Sequence, residues 1–513
     1  MWNLSFGFFG VQMAFALQTS QNSRIFETLG ADPHNLGYFW ILPPLMGMIV
    51  QPIVGSMSDK TWCRWGRRKP YLYVGTLIAA IVMFLFPNSG SFSFQSVGAV
   101  MAFGAAMLML LDTSLNMAMQ PFKMMVGDMV NNEQKAKAYS IQSMLCNAGQ
   151  VVGSLLPKLL AILFAGGVAA TAAVAISDDE PVADAPAPET TIVVDATEGE
   201  ASIAADVVAV DDTEDVASVV ADVVAVDDTE DVAAIDSPAV PSAENVVETA
   251  VVAEDSVKKE VPESLKWSFY IGAIVMIICV IVTSVKVKEF TPEQYAKLNG
   301  VNADDKSQNT NFIYLLRNAP AAFWQIAVVQ FFCWFAFMLM WTYTNGAIAE
   351  NVWGTSDSSS LAFQDAGDWV GVLFAVQSVA SVVWALVLPY FRTTKMAYST
   401  SLLIGGIGFI STLFIKDQYA LCVSYALIGC GWAAMLSMPF ALLTNSLSGK
   451  SMGAYLGLFN CTICLPQIVA SLVSGMILTA CGGERIYMLV IAGVSLLLGA
   501  MAVFGINTKR KEE

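Results

Sequence analysis

The chain alternates between long apolar runs and short polar breaks, and reading the runs between charged or turn-rich breaks predicts twelve helices. In the first half they lie at about 3–23, 37–56, 71–87, 97–122, 139–166 and 267–285. In the second half they lie at about 321–345, 367–389, 397–415, 418–445, 453–480 and 485–506. Most approach or exceed the ~20 residues that an α-helix needs to cross a hydrocarbon core of ~30 Å. The pattern predicts an all-α membrane protein with twelve transmembrane helices. No cleavable signal is expected, because no basic start region precedes the first apolar run.

Composition strengthens this reading. Apolar types make up 56% of the 513 residues, charged ones only 13%, and mean hydropathy is +0.59. A soluble chain of this length needs about twice that share of charge on its surface. The net charge of −17 is localised. Residues 177–264 hold 25 Asp and Glu against Lys258 and Lys259, so the remainder of the chain is +6. The acidic balance therefore belongs to one segment and not to the membrane body.

Lys and Arg placement sets the expected orientation, since loops rich in them stay cytoplasmic. With the N-terminus inside, 19 of the 26 basic residues fall on inner segments. The other seven, Arg24, Lys158, Lys258, Lys259, Lys266, Lys416 and Arg485, fall outside or in the outer part of a helix. Both termini are expected in the cytoplasm, with the chain in the cell (inner) membrane. The acidic segment then lies outside, between the fifth and sixth helices. It has no aromatic residue and no cysteine, and ADVVAVDDTEDVA at 205–217 recurs at 221–233. Such composition predicts a disordered loop insert. The expected organisation is 1–176 with five helices, the insert at 177–264, the sixth helix at 265–285, a cytoplasmic loop at 286–318, and a second six-helix half at 319–513.

Several chemistries are excluded. The nine cysteines are scattered, and Cys461 with Cys464 form the single close pair, without a second pair at zinc spacing. No metal cluster, nucleotide-binding glycine loop or Ser/His/Asp set can be assembled, so no enzyme, no cofactor and no nucleic-acid partner are expected. Energy must come from a gradient and not from ATP. His34, the lone histidine, sits in the expected outer loop before the second helix and reads equally as a pH sensor or a plain loop residue.

Three sets of residues carry candidate chemistry. The loop after the second helix holds Gly55, Asp59 and Lys60 followed by Gly66, Arg67, Arg68 and Lys69. Gly55 permits close helix approach, and Asp59 at a helix end can pair with arginines or a helix dipole. Asp128, at the inner end of the fourth helix, is the expected partner of Arg67 or Arg68 in a gate. Asp112 falls near the middle of the fourth run, where a carboxylate costs about 3 kcal/mol on insertion scales and is usually functional. It is a candidate proton carrier that can also bond a ligand hydroxyl, with Asn116 one turn on along the same face. A structural Asp bonded to a neighbouring helix is the alternative. A site for a hydroxyl-rich ligand needs neutral hydrogen-bonding groups and aromatic faces in one cavity. Gln12, Gln18 and Asn22 on the first helix supply such groups, with Gln142, Asn147 and Gln150 on the fifth. Gln330 and Trp334 on the seventh and Asn460 and Gln467 on the eleventh complete the set. Interhelical bonding, worth ~0.6 kcal/mol each, is the alternative for any one amide.

The stretches VQMAFALQTS, LGADPH, YFWILPPLMGMIVQPIVGSMSDK and GRRKP within 11–70, and LLDTSLNMAMQPFKMMVGDM at 110–129, resemble the sucrose transporter family. That family lies within the glycoside–pentoside–hexuronide cation symporters of the major facilitator superfamily. QFFCWFAF at 330–337, PFALL at 439–443 and GAYLGLFNCTICLPQ at 453–467 extend the resemblance into the second half. It implies two six-helix halves around a midplane site. It also implies uptake of a glycoside such as sucrose or maltose with a cation, a proton before sodium, by a monomer in membrane lipid. Asp112 stands at the family's intramembrane acid. Lys123 stands where the family carries Arg, and a point charge cannot make the same bidentate contact, so its part in the gate differs. An exporting antiporter is the competing reading.

Overall fold

The computed structural model describes residues 1–61, 63–92, 94, 96–130, 134–177, 260–290, 317, 319–446 and 458–507. Met1–Thr171 with Lys258–Glu513 form one compact unit, and Ala172–Val257 form a second. The acidic insert and most of the central 286–318 loop lie outside the described residues, as does the start of the eleventh helix.

Among the described residues the regular secondary structure is helical, apart from one isolated bridge between Cys63 and Gly66. The helices are α1 (Trp2–Thr28), α2 (Leu36–Trp40), α3 (Leu42–Lys60), α4 (Lys69–Leu85), α5 (Val97–Met129), α6 (Lys135–Ser177) and α7 (Glu263–Lys286). They continue as α8 (Ala321–Val352), α9 (Leu361–Val387), α10 (Thr394–Ser411), α11 (Leu421–Ser446), α12 (Cys461–Ala480) and α13 (Ile486–Ala502). With α2 and α3 taken as one span broken at Ile41, each predicted run has a helix. Ten are long and apolar enough to cross a membrane among the described residues. The two that fall short are α1 and α10. The reason is plain in α1, where Gln12, Gln18, Gln21, Asn22, Arg24 and Glu27 are all buried.

Local chemistry sets the helix starts. The side-chain oxygens of Ser96, Ser360 and Thr393 accept from the backbone N–H three residues on, capping α5, α9 and α10. Outward faces are apolar at helical spacing. Val74, Leu77, Ile81 and Phe84 on α4 are exposed, as are Ile274, Ile278, Ile281 and Val285 on α7. Stripes of this kind require lipid as solvent. One buried core runs from Leu4 to Val287 and a second from Phe323 to Ile506. In the first, α6 lies directly on α1: a Cβ at Gly149 would stand 2.4 Å from the Phe9 carbonyl oxygen, and one at Gly153 2.5 Å from that of Met13. This small-xxx-small spacing lets the two backbones touch.

Candidate functional site

Between the two cores lies a cavity of about 720 Å³, within the ~300–1,000 Å³ usual for small-molecule sites. Its two walls differ. From the first core come Gln12, Gln18, Gln51, Asn116, Gln150 and Asp112. From the second come Trp334, Trp341 and Trp432, joined by Trp40 of α2. Trp40 stacks on Trp341 at 6.3 Å, and Trp432 meets Trp334 edge-on at 5.9 Å. Gln377, Asn460 and Gln467 add amides to the aromatic side.

Asp112 is the single carboxylate among the described lining residues, and Lys123 the single cation. At 2% exposure, the Asp112 carboxylate is held by two amides. Gln18 Nε2 donates to its Oδ1 at 3.3 Å, and Asn116 Nδ2 donates to its Oδ2 at 2.7 Å. Gln51 Nε2 in turn donates to Asn116 Oδ1 at 2.7 Å. Gln18 Oε1 and the Trp334 indole nitrogen are buried without a partner. Unpartnered groups on a cavity wall favour a ligand rich in hydroxyls. Lys123 stands eleven residues along α5 from Asp112, ~16 Å of helical rise. The lining therefore extends toward the end at which α1 begins.

Of the residues singled out from the sequence, Gln12, Gln18, Gln142, Gln150, Trp334, Asn460 and Gln467 line the cavity, together with Asp112, Asn116 and Lys123. Three are placed elsewhere. Asn22 is fully buried one turn farther along α1. Asn147 turns back to donate to the Ser143 carbonyl oxygen at 2.8 Å. Gln330 accepts from the Tyr398 hydroxyl at 3.1 Å inside the second core. Trp40, Trp341, Trp432, Gln51 and Gln377 were not singled out. The seven-residue spacing of Trp334 and Trp341, two turns of one face, was the available signal.

In the loop expected to gate, the described residues show a contact that the sequence did not suggest. The side chains of Asp59 and Asp128 lie outside the described residues, and so does their expected pairing with Arg67 or Arg68. What the structure shows is the Glu289 carboxylate, just beyond α7, accepting backbone N–H groups of Arg67 at 2.6 Å, Arg68 at 2.9 Å and Lys69 at 2.9 Å. Lys69 Nζ donates to the Ser284 carbonyl oxygen at 2.8 Å. Gly66 makes this possible: its φ is +112°, and a Cβ would stand 2.8 Å from the Glu289 carboxyl carbon.

Charged side chains concentrate instead where α1 ends. Arg24 Nη1 donates to Asp368 of α9 at 2.7 Å and to Gln21 at 3.1 Å, while its Nε donates to Gln364 at 2.9 Å. Arg485, at the start of α13, pairs with Glu27 through Nη1 and with Glu350 of α8 through Nε at 3.0 Å. Ser23 donates to the Trp341 carbonyl oxygen and accepts from the Trp40 indole N–H. These bonds tie α1 to the second core and close that end of the cavity.

A family model described as MFS/sugar transport protein matches residues 6–178. The general alpha-glucoside permease of Schizosaccharomyces pombe is 28% identical over 165 residues, 30% of this chain and 30% of the relative. The sucrose transport protein SUT1 of Oryza sativa subsp. japonica is 29% identical over 157 residues, 28% of this chain and 29% of that one. The matches thus span less than a third of these relatives' length. Among solved structures, the nucleoside transporter NupG superposes with a TM-score of 0.59 at 12% identity, covering 98% of each chain. A D-xylose–proton symporter superposes at 0.57 with 13% identity, covering 99% of this chain and 98% of the other. The family model thus covers residues 6–178, and the solved structures share the fold of nearly the whole chain.

Proposed function

We propose that the protein is a secondary transporter that carries a glycoside or disaccharide, such as sucrose or maltose, together with a proton. The observation that carries this reading is Asp112, the one carboxylate among the described lining residues, set in a cavity that also presents amides and indoles. Indole faces pack against the C–H faces of a sugar ring while amides bond its hydroxyls. Asp112 is the one acid among the described lining residues, and an acid at this depth in a membrane helix is the kind of group that relays protons. The names of the permease and sucrose relatives support the substrate class. The chain works in the cell membrane with both termini cytoplasmic, the acidic insert outside, and Arg67, Arg68 and Lys123 at the inner end. The amides of the first wall favour a hydroxyl-rich sugar over the lipophilic cargo of an exporting antiporter.

The test is uptake of labelled disaccharides into proteoliposomes under imposed proton or sodium gradients. Asp112→Asn should abolish accumulation while leaving sugar exchange. Accumulation equal to that of the unaltered protein would remove Asp112 from the coupling.

A further inference from the structure

Four charged residues that meet across the two cores, with Glu350, are absent from the reading of the cavity. Arg24 is fully buried, and its partner Asp368 is 3% exposed. Both arginines lie in slots that glycine leaves open. A Cβ at Gly367 would stand 2.4 Å from Arg24 Cδ, and one at Gly346 2.0 Å from Arg485 Nη1. Around them, buried side-chain atoms of Gln21, Asn22, Glu27 and Asn345 have no protein partner. A packed core excludes such groups, whereas a seam that parts and admits water uses them.

The two arginines are held unequally. Arg24 has its carboxylate, Asp368, on the opposite core and only an amide, Gln21, on its own helix. Arg485 has a carboxylate on each side. Glu27 belongs to α1, while Glu350 belongs to α8, whose core α13 shares, and Glu350 also accepts the Arg485 backbone N–H at 3.2 Å. Stripping a buried ion of its partner costs several kcal/mol. When the cores part here, Arg485 keeps Glu350 and stays neutralised, whereas Arg24 and Asp368 separate outright.

We propose that this cluster is the outer gate of the transport cycle, in which Arg485 is handed from Glu27 to Glu350 as the gate opens while Arg24–Asp368 acts as the lock. The inference rests on the transporter reading above and assigns opposite effects to two carboxylates on one arginine. Glu27→Gln removes the closed-state partner and favours opening. Glu350→Gln removes the open-state partner and favours closure.

The experiment needs neither sugar nor gradient, so it fails or succeeds independently of the coupling test. Ser471→Cys on α12, 2% exposed where α12 packs on Gly37 of α2 across the two cores, is labelled in the full chain with a membrane-impermeant maleimide. Modification is then read at that peptide by mass spectrometry. Against this reporter background, Asp368→Asn should raise the labelling rate about tenfold or more, Glu27→Gln should raise it less, and Glu350→Gln should lower it. The exchanged pair Arg24→Asp with Asp368→Arg should return the rate toward background, which separates a broken lock from a misfolded chain. Faster labelling in Glu350→Gln, or no change in both Asp368→Asn and Glu27→Gln, would overturn the proposal.

Discussion

Asp112 and Asp368 are both buried carboxylates near the axis of a long apolar helix, 2% and 3% exposed, yet their surroundings are opposites. Asp368 meets a guanidinium from the other core at 2.7 Å. Asp112 meets only amides, from its own helix and from α1 of its own core. A carboxylate bound to a fixed cation is held charged and ties together whatever carries the two groups. A carboxylate bound to neutral amides can give up or take a proton without stranding a counter-charge. The first arrangement suits a lock and the second an exchange site, and the chain keeps them about two turns apart along α1.

The sharpest way to break this contrast is thermal unfolding in detergent. Asp368→Ala leaves Arg24 buried without its carboxylate and should cost about 3–5 kcal/mol of stability. Asp112→Asn, nearly isosteric among amides, should change the unfolding midpoint little. Equal losses would mean that both carboxylates are structural. A smaller effect is expected inside the exchange site itself. Removing the shorter of the two Asp112 bonds with Asn116→Ala should cost about 1.5 kcal/mol, or roughly tenfold in kcat/KM for sugar uptake. Gln18→Ala, which removes the 3.3 Å bond, should cost less. The reverse order would shift the weight of the site to α1.

The smallest effect belongs to an exposed carboxylate that does neither job. Asp32 caps a short turn, and its carboxyl is held below the usual range chiefly by the His34 backbone N–H, then by the His34 ring. A lowered value means the stabilisation is present above the ordinary carboxylate range and is lost as pH falls through the lowered one. Asp32→Ala should therefore unfold slightly below the unaltered protein at neutral pH, and the two should converge in acid.

Much of this was legible along the chain. Asp112 and Asn116 are one helical turn apart, so their bond follows from the 3.6-residue repeat alone. The glutamines of α1 and α6 stood out because an amide in an apolar helix needs a partner. The ion pairs did not. Arg24 and Asp368 are 344 residues apart, and Arg485 and Glu27 are 458 apart. From the sequence, Arg24 and Arg485 read as charges at or beyond the outer helix ends. Asn22 shows the limit from the other side: it shares a face with Gln18 but lies one turn past the cavity.

The sequence by itself determined the helices, the membrane as their solvent, and the rank of Asp112 among the polar residues. Each follows from short-range periodicity or from the cost of burying a charge, and both are properties of local chain. Only the tertiary structure decided which amides share a wall, that four tryptophans converge opposite them, and that Glu289 rather than a neighbouring residue accepts the N–H groups after Gly66. It also decided which buried charges are neutralised and by whom. Those depend on the rotation and depth of each helix against partners hundreds of residues away, and close packing, with glycine where a side chain must cross, fixes them.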